Sequence, residues 1–176
     1  MKTLLEADGY KKDQKGQVCM TPTKNDNDKT LSNNDRYAYA NTTGAKVLVS
    51  IHMNGSTNTT TDYTTTLFGK WQKDKALAQT LFKSLSTLPS ATRTETIATR
   101  APYSYASGVL LESTMAASIA ETVFITSGKE GQLLSGAFAR KADDSLKYPD
   151  GSQDNGSNER QHQIARVLKD GIEAYS

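Results

Sequence analysis

Apolar residues recur along this chain in two rhythms, and the change from one to the other divides it into elements. From Trp71 to Leu88, the residues Leu77, Leu81, Leu85 and Leu88 fall on one helical stripe, with Ala78 and Phe82 beside it. That spacing predicts an amphipathic helix, which Pro89 ends. Ile164, Leu168, Ile172 and Tyr175 repeat the stripe near the C-terminus, behind Asn158 as N-cap. Lys46–Ile51 reads differently. Val47, Leu48, Val49 and Ile51 are almost continuous, the pattern of a strand buried on both faces. Tyr63–Phe68 alternates as a strand, and Ile97, Val109–Leu111 and Ser118–Ile125 are shorter candidate strands.

Stop and start signals bound these pieces. Ser32 followed three residues later by Asp35 resembles a capping box, and Gly44 closes the helix that carries Arg36, Tyr37, Ala38, Ala40 and Asn41. Met1–Asp8 predicts a helix with Leu4 and Leu5 as its apolar face and Gly9 as its stop. Two turns fall short of the ~12–15 residues at which an isolated helix becomes even marginal, so this segment reads as the tail of a longer one. Gln17–Met20 is a candidate strand. Thr21–Lys29, with Pro22, and Asn54–Thr61 are polar loops, and Ala142–Asn158 is a long solvated loop or insertion. No internal repeat appears. Helices alternating with apolar strands predict a single α/β domain over residues 1–176, with a mostly parallel twisted sheet flanked by helices.

Composition narrows the function classes. The formal net charge is +2, and no Lys/Arg block is interleaved with aromatics, so nucleic-acid binding has no electrostatic footprint. No apolar run reaches the ~20 residues of a membrane span. Residues 1–8 offer no signal peptide, because Glu6 and Asp8 follow Leu4 and Leu5 at once; export therefore requires other sequence or another route. The single Cys19 excludes an internal disulfide and reads as a small buried hydrophobe.

The chemistry begins with two histidines. His52 follows the strand at Lys46–Ile51, and open α/β sheets place ligands outside the carboxyl ends of their strands. A lone histidine there is still more often structural than a ligand. His162, near the start of the last helix, reads as a surface histidine.

The surrounding residues add to this. Val47-Leu48-Val49-Ser50-Ile51-His52-Met53-Asn54 resembles the hallmark strand of the zinc-dependent N-acetylmuramoyl-L-alanine amidases, whose histidine after the strand binds zinc. Leu31-Ser32-Asn33-Asn34-Asp35-Arg36, Ala40-Asn41 and Gly44-Ala45 match the preceding helix. Leu4-Leu5-Glu6-Ala7-Asp8-Gly9-Tyr10 looks like the end of the family's first helix. Val109-Leu110-Leu111-Glu112-Ser113-Thr114-Met115, then Ile119-Ala120-Glu121-Thr122-Val123-Phe124-Ile125-Thr126-Ser127, then Glu130 and Leu133-Leu134, are similar to the final strand and the loop after it. Ile164-Ala165, Gly171-Ile172 and Tyr175 resemble the closing helix.

The resemblance implies hydrolysis of the amide between N-acetylmuramic acid and L-alanine in peptidoglycan, in the cell envelope or outside the cell. It implies His52 as a zinc ligand and Glu121 as the general base, with Glu112 a decoy. A catalytic zinc takes three protein ligands and leaves a position for water. The family's other two ligands, a His and a Glu, lie in a first strand and helix start that would precede Met1, and Glu6 falls too late to be that Glu. Pro22, Ala116, Val123 and Ser127 stand where the family usually has Arg, Pro, Gly and Asn. Three expectations therefore stand side by side. They are an amidase weakened by an incomplete zinc site, a non-catalytic relative that binds wall fragments or a protein partner, and a fragment completed by another polypeptide.

Overall fold

The computed structural model describes residue 21 and residues 30–91, 95–135 and 159–176. The expected helix at Met1–Asp8, the strand at Gln17–Met20, Cys19, Pro22, the loop at Ala142–Asn158 and the Asn158 cap lie outside the described residues.

Helix α1 (Asn33–Thr42) starts where its cap predicts. Asp35 N donates to Ser32 Oγ at 3.2 Å while Ser32 N donates to Asp35 Oδ2 at 2.9 Å, so two otherwise orphaned donors are satisfied reciprocally. Gly44 closes the exit with φ 67°, a conformation that favours glycine.

Among the described residues, four strands form one sheet. They are β1 (Val47–Asn54), β2 (Thr65–Phe68), β3 (Tyr103–Ser104) and β4 (Ala116–Phe124), in the order β1-β4-β2-β3. The β1–β4 and β2–β3 pairs are parallel and β2–β4 is antiparallel, so the sheet is mostly parallel, as expected. Helix α2 (Trp71–Leu85) and helix α5 (Glu159–Tyr175) cover one face. Leu77, Leu81 and Leu85 meet Ile164, Leu168 and Ile172 there, over Ala116, Ala120 and Val123 of β4. A Cβ at Gly171 would lie 3.1 Å from Leu81 Cδ2 and 3.2 Å from Leu81 Cα, so glycine permits the close approach of α5 to α2. On the other face the four-residue helix α3 (Gly108–Leu111) covers a smaller cluster of Leu67, Leu110, Ala117 and Ile119. Helix α4 (Gly128–Ser135) follows β4.

Several expectations are corrected. Val109–Leu111 is helical, part of α3, because Leu110 N and Leu111 N both donate to Ser107 O. Ile97 is buried but joins no strand; its segment contributes only single bridges, Thr64 with Thr99 and Pro89 with Thr96. The stretch around Glu130 and Leu133-Leu134, expected as loop, is α4. Helix α2 stops at Leu85, and Leu88 reaches the core through a turn in which its N–H donates to Leu85 O. β2 does not alternate. Thr65, Thr66, Leu67 and Phe68 are all buried, and the Thr66 hydroxyl donates to Ala78 O of α2 at 2.8 Å. β1 extends through His52 to Asn54. Among the described residues it is an edge strand, so Ile51 and Met53 are exposed rather than buried on both faces.

Two polar anchors tie the layers together. Buried Asp74 of α2 accepts from Lys70 N at 2.7 Å and from Ala117 N of β4 at 2.9 Å. Asn41 of α1 donates to Glu112 O at 3.0 Å and accepts from Thr114 N at 2.8 Å, holding the turn between α3 and β4. No helix among the described residues is long and apolar enough to cross a membrane.

Candidate active site

Register brings the two predicted site residues together. β1 and β4 run parallel from Val47 opposite Ala116 to His52 opposite Glu121. Beyond that pair the ladder slips, and Asn54 lies opposite Phe124. Two steps along β1 thus match three along β4, a bulge that re-aims the strand. Ala116 and Ala120 face the α2/α5 core, and after the bulge so does Val123. Glu121 shares the opposite face with Ala117 and Ile119, and His52 shares it with Leu48 and Ser50, because side chains alternate along a strand.

On that face His52 Nδ1 is 4.0 Å from Glu121 Oε1, with side chains 51% and 16% exposed. Ser50 Oγ lies 3.0 Å from His52 Nε2. The backbones of both residues are pinned from neighbouring strands: the Thr122 hydroxyl donates to His52 O at 3.1 Å, and the Thr64 hydroxyl donates to Glu121 O at 3.3 Å. Burial pushes the Glu121 carboxyl above the usual carboxylate range, and the neighbouring His52 partly offsets it. A carboxyl with a raised pKa, beside an exposed imidazole, is suited to accept and return a proton.

The family model for N-acetylmuramoyl-L-alanine amidase matches residues 2–145, well over half of the 176 residues. The chain belongs to that amidase family. No curated protein sequence matches it. Among solved structures it is similar to the N-acetylmuramoyl-L-alanine amidase AmiC2 of Nostoc punctiforme, at 20% identity and a TM-score of 0.69, covering 98% of this chain and 76% of that one. It is also similar to the CwlD amidase of Clostridioides difficile, solved in complex with the GerS lipoprotein, at 19% identity and a TM-score of 0.66, covering 99% and 79%. An N-acetylmuramoyl-L-alanine amidase of Clostridium difficile 630 shares 26% identity at a TM-score of 0.60, covering 84% and 67%. The family model stops before α5, whereas the structural likeness to the first two amidases takes in nearly the whole chain.

An amidase site with a catalytic zinc needs three protein ligands. No group of three or more His, Cys, Asp or Glu side chains placed to hold a metal lies among the described residues. His52 contributes one imidazole, and Glu121 beside it is the residue that the family resemblance makes the base. This donor set alone does not fit a catalytic zinc.

The remaining candidates lie elsewhere. Glu112 is the exposed C-cap of α3, with its backbone N–H bonded to Gly108 O. His162 is buried in α5, which corrects its reading as a surface histidine. The stripe of α5 places Ile164 and Leu168 in the core, and His162, two residues before Ile164 and so on another side of the helix, is buried outside that stripe.

Two groupings of side chains carried no signal in the periodicity of the chain, although Glu130 belongs to a stretch that resembles the family. Arg100, Tyr63 and Tyr103 meet on the far side of β2 from Glu121: Arg100 Nη1 donates to the Tyr63 hydroxyl at 3.3 Å, and its guanidinium lies 5.0 Å from the centre of the Tyr103 ring. Tyr63 also packs on Phe124, ring centres 4.6 Å apart. Glu130 of α4 accepts a two-pronged bond from Arg160 of α5, at 2.8 Å from Nε and 2.5 Å from Nη2. Side chains drawn from separate segments, and partners 30 positions apart, leave no periodic trace.

Proposed function

We propose that the chain acts on peptidoglycan in the cell envelope or outside the cell, at the amide between N-acetylmuramic acid and L-alanine, with Glu121 as the proton-transferring carboxylate. The observation that carries this reading is the His52–Glu121 pair across β1 and β4, with Glu121 partly buried and its carboxyl raised. Glu121 takes a proton from the attacking water and returns it to the departing amine nitrogen. Amide hydrolysis needs both transfers, and a carboxyl titrating closer to neutral serves each more evenly. His52 is the position that the resemblance assigns to zinc, but the described donors do not complete a zinc site, so no step is derived through a metal.

The incomplete donor set favours a second reading, a non-catalytic relative that holds wall fragments on the same face. General base catalysis alone supplies roughly 10²–10⁴-fold of rate, against the ~10⁶-fold or more that enzymes generally reach.

Zinc content per chain, measured at neutral pH alongside release of soluble fragments from purified peptidoglycan, tests both readings. The expected result is zinc well below one equivalent and slow digestion that Glu121→Gln abolishes. Digestion unchanged by Glu121→Gln would overturn the role of Glu121. Full zinc-dependent activity that survives His52→Ala would overturn the role of His52.

A further inference from the structure

We propose that Arg100, held by Tyr63 and Tyr103, is the subsite that receives a peptide carboxylate of the substrate, about two residues beyond the amide at Glu121. The inference rests on the amidase reading above and names what that reading leaves open, the group that sets the peptide's position.

The backbone fixes Arg100 where it stands. Its N–H donates to Thr64 O at 3.0 Å, and Thr64 N donates to Ala98 O at 2.9 Å, so residues 98–100 run as a short extension of the sheet beside β2. β2 lies between this segment and β4, with Thr65 opposite Glu121 and Leu67 opposite Tyr103. Two strand spacings, on the order of 10 Å, therefore separate the Glu121 row from the Arg100–Tyr103 row. An extended peptide covers about 3.3–3.6 Å per residue. A carboxylate two residues past the scissile bond, together with the reach of an arginine side chain, closes that gap.

The side chains share a face as well as a row. Tyr63 and Thr65 have the same parity on their strand, Thr65 pairs with Glu121, and Tyr63 touches Phe124, which the bulge turns to the Glu121 face. Tyr103 senses the same neighbourhood: burial raises its hydroxyl, Arg100 opposes this, and Tyr63 and Glu121 add to it.

The guanidinium is oriented but not neutralised. It is exposed, and among the described residues no carboxylate pairs with it. Of its five N–H donors one is spent on the Tyr63 hydroxyl. The ring of Tyr103 lies 5.0 Å from its guanidinium carbon, within cation–π range. A planar cation restrained in this way loses little freedom when a carboxylate binds it through two parallel bonds. The stem peptide of peptidoglycan continues past L-alanine with a carboxylate-bearing residue, so the substrate brings the matching anion.

Isothermal titration of the whole chain with N-acetylmuramoyl-L-alanyl-D-glutamate, and with the same molecule carrying amides in place of its carboxylates, tests the assignment. The acid is expected to bind at least tenfold more tightly than the amide. Arg100→Gln should erase that difference, and Arg100→Lys should restore part of it. Arg100 is exposed, so the thermal midpoint should not move. Equal binding of acid and amide by the unaltered chain, or a preference that survives Arg100→Gln, overturns this inference and leaves the amidase reading standing. Failure of the unaltered chain to bind both fragments and insoluble peptidoglycan overturns the two together.

Discussion

Glu130 and Glu121 are both shielded carboxylates beside a basic side chain, one on each face of the same end of the sheet, and they are used in opposite ways. Glu130 is completely buried, and Arg160, 2% exposed, meets it with two bonds while also donating to Pro89 O at 2.9 Å and Gln163 Oε1 at 3.0 Å. Burial raises the Glu130 carboxyl, Arg160 opposes this, and Asp62 nearby raises it further. Asp62 is likewise raised by burial, although Phe124 N donates to it at 3.3 Å. The Arg160 guanidinium thus makes four hydrogen bonds within the fold. Glu121 instead faces a half-exposed histidine at 4.0 Å, with no bidentate partner among the described residues. A saturated pair locks α4 to α5, whereas a loose pair keeps a lone pair and a proton site open to a ligand. The difference lies in the partner's reach and in solvent access, since the carboxylate itself is the same.

Breaking the closed pair should have the largest effect. Arg160→Ala strands a buried Glu130 and is expected to cost about 3–5 kcal/mol, read as a lower urea midpoint. The loss should grow with rising pH, because the stranded carboxyl is stable only while it holds a proton. Replacing both members together, as Glu130→Leu with Arg160→Met, should recover most of the loss, since apolar residues of similar size need no compensation. A single Arg160→Ala variant as stable as the parent would erase the contrast between the two faces.

How much of this was readable beforehand depends on where each signal resides. Helices α1, α2 and α5 carry theirs locally, in the Ser32–Asp35 box, in Gly44 and in leucines on one stripe. Val109–Leu111 misled because a short apolar run fits a strand as well as a buried turn of helix. The threonines of β2 looked like the polar half of an alternating strand, yet hydroxyl bonds to backbone carbonyls such as Ala78 O allow them to be buried. The exposure of β1 goes with its place at the edge of the sheet among the described residues, which no residue in it encodes. His52 and Glu121 were found through short motifs, while their meeting depends on the β1–β4 register. Arg100 was invisible, because its position comes from a bridge between Thr64 and Thr99 rather than from any repeat.

The open pair should respond more weakly. With its folded-state pKa raised by burial, Glu121 contributes most favourably below the unfolded carboxylate value, and that contribution is lost as pH rises through the raised value. Glu121→Gln removes this slope. The variant is expected to match the parent in acid and to be somewhat more stable at pH 8, by well under the Arg160→Ala loss. Unfolding curves across pH 4 to 8 measure it. A variant less stable than the parent at pH 8 would mean that the charge is compensated in the fold, as at Glu130.

His52→Ala should have the smallest effect on stability, within about 0.5 kcal/mol, because the imidazole is half exposed and its contact with Glu121 is long and screened by water. Its electrostatic consequence should nevertheless be visible. His52 is the neighbour that pulls the Glu121 carboxyl back down, so without it burial acts unopposed. Carboxyl-carbon NMR should then show Glu121 titrating at higher pH in His52→Ala than in the parent. A stability loss beyond about 2 kcal/mol would move His52 into the class of Arg160, a side chain that the fold itself depends on. An unshifted Glu121 titration would show that the 4.0 Å approach carries no coupling, and the open pair would then be two independent side chains on one face.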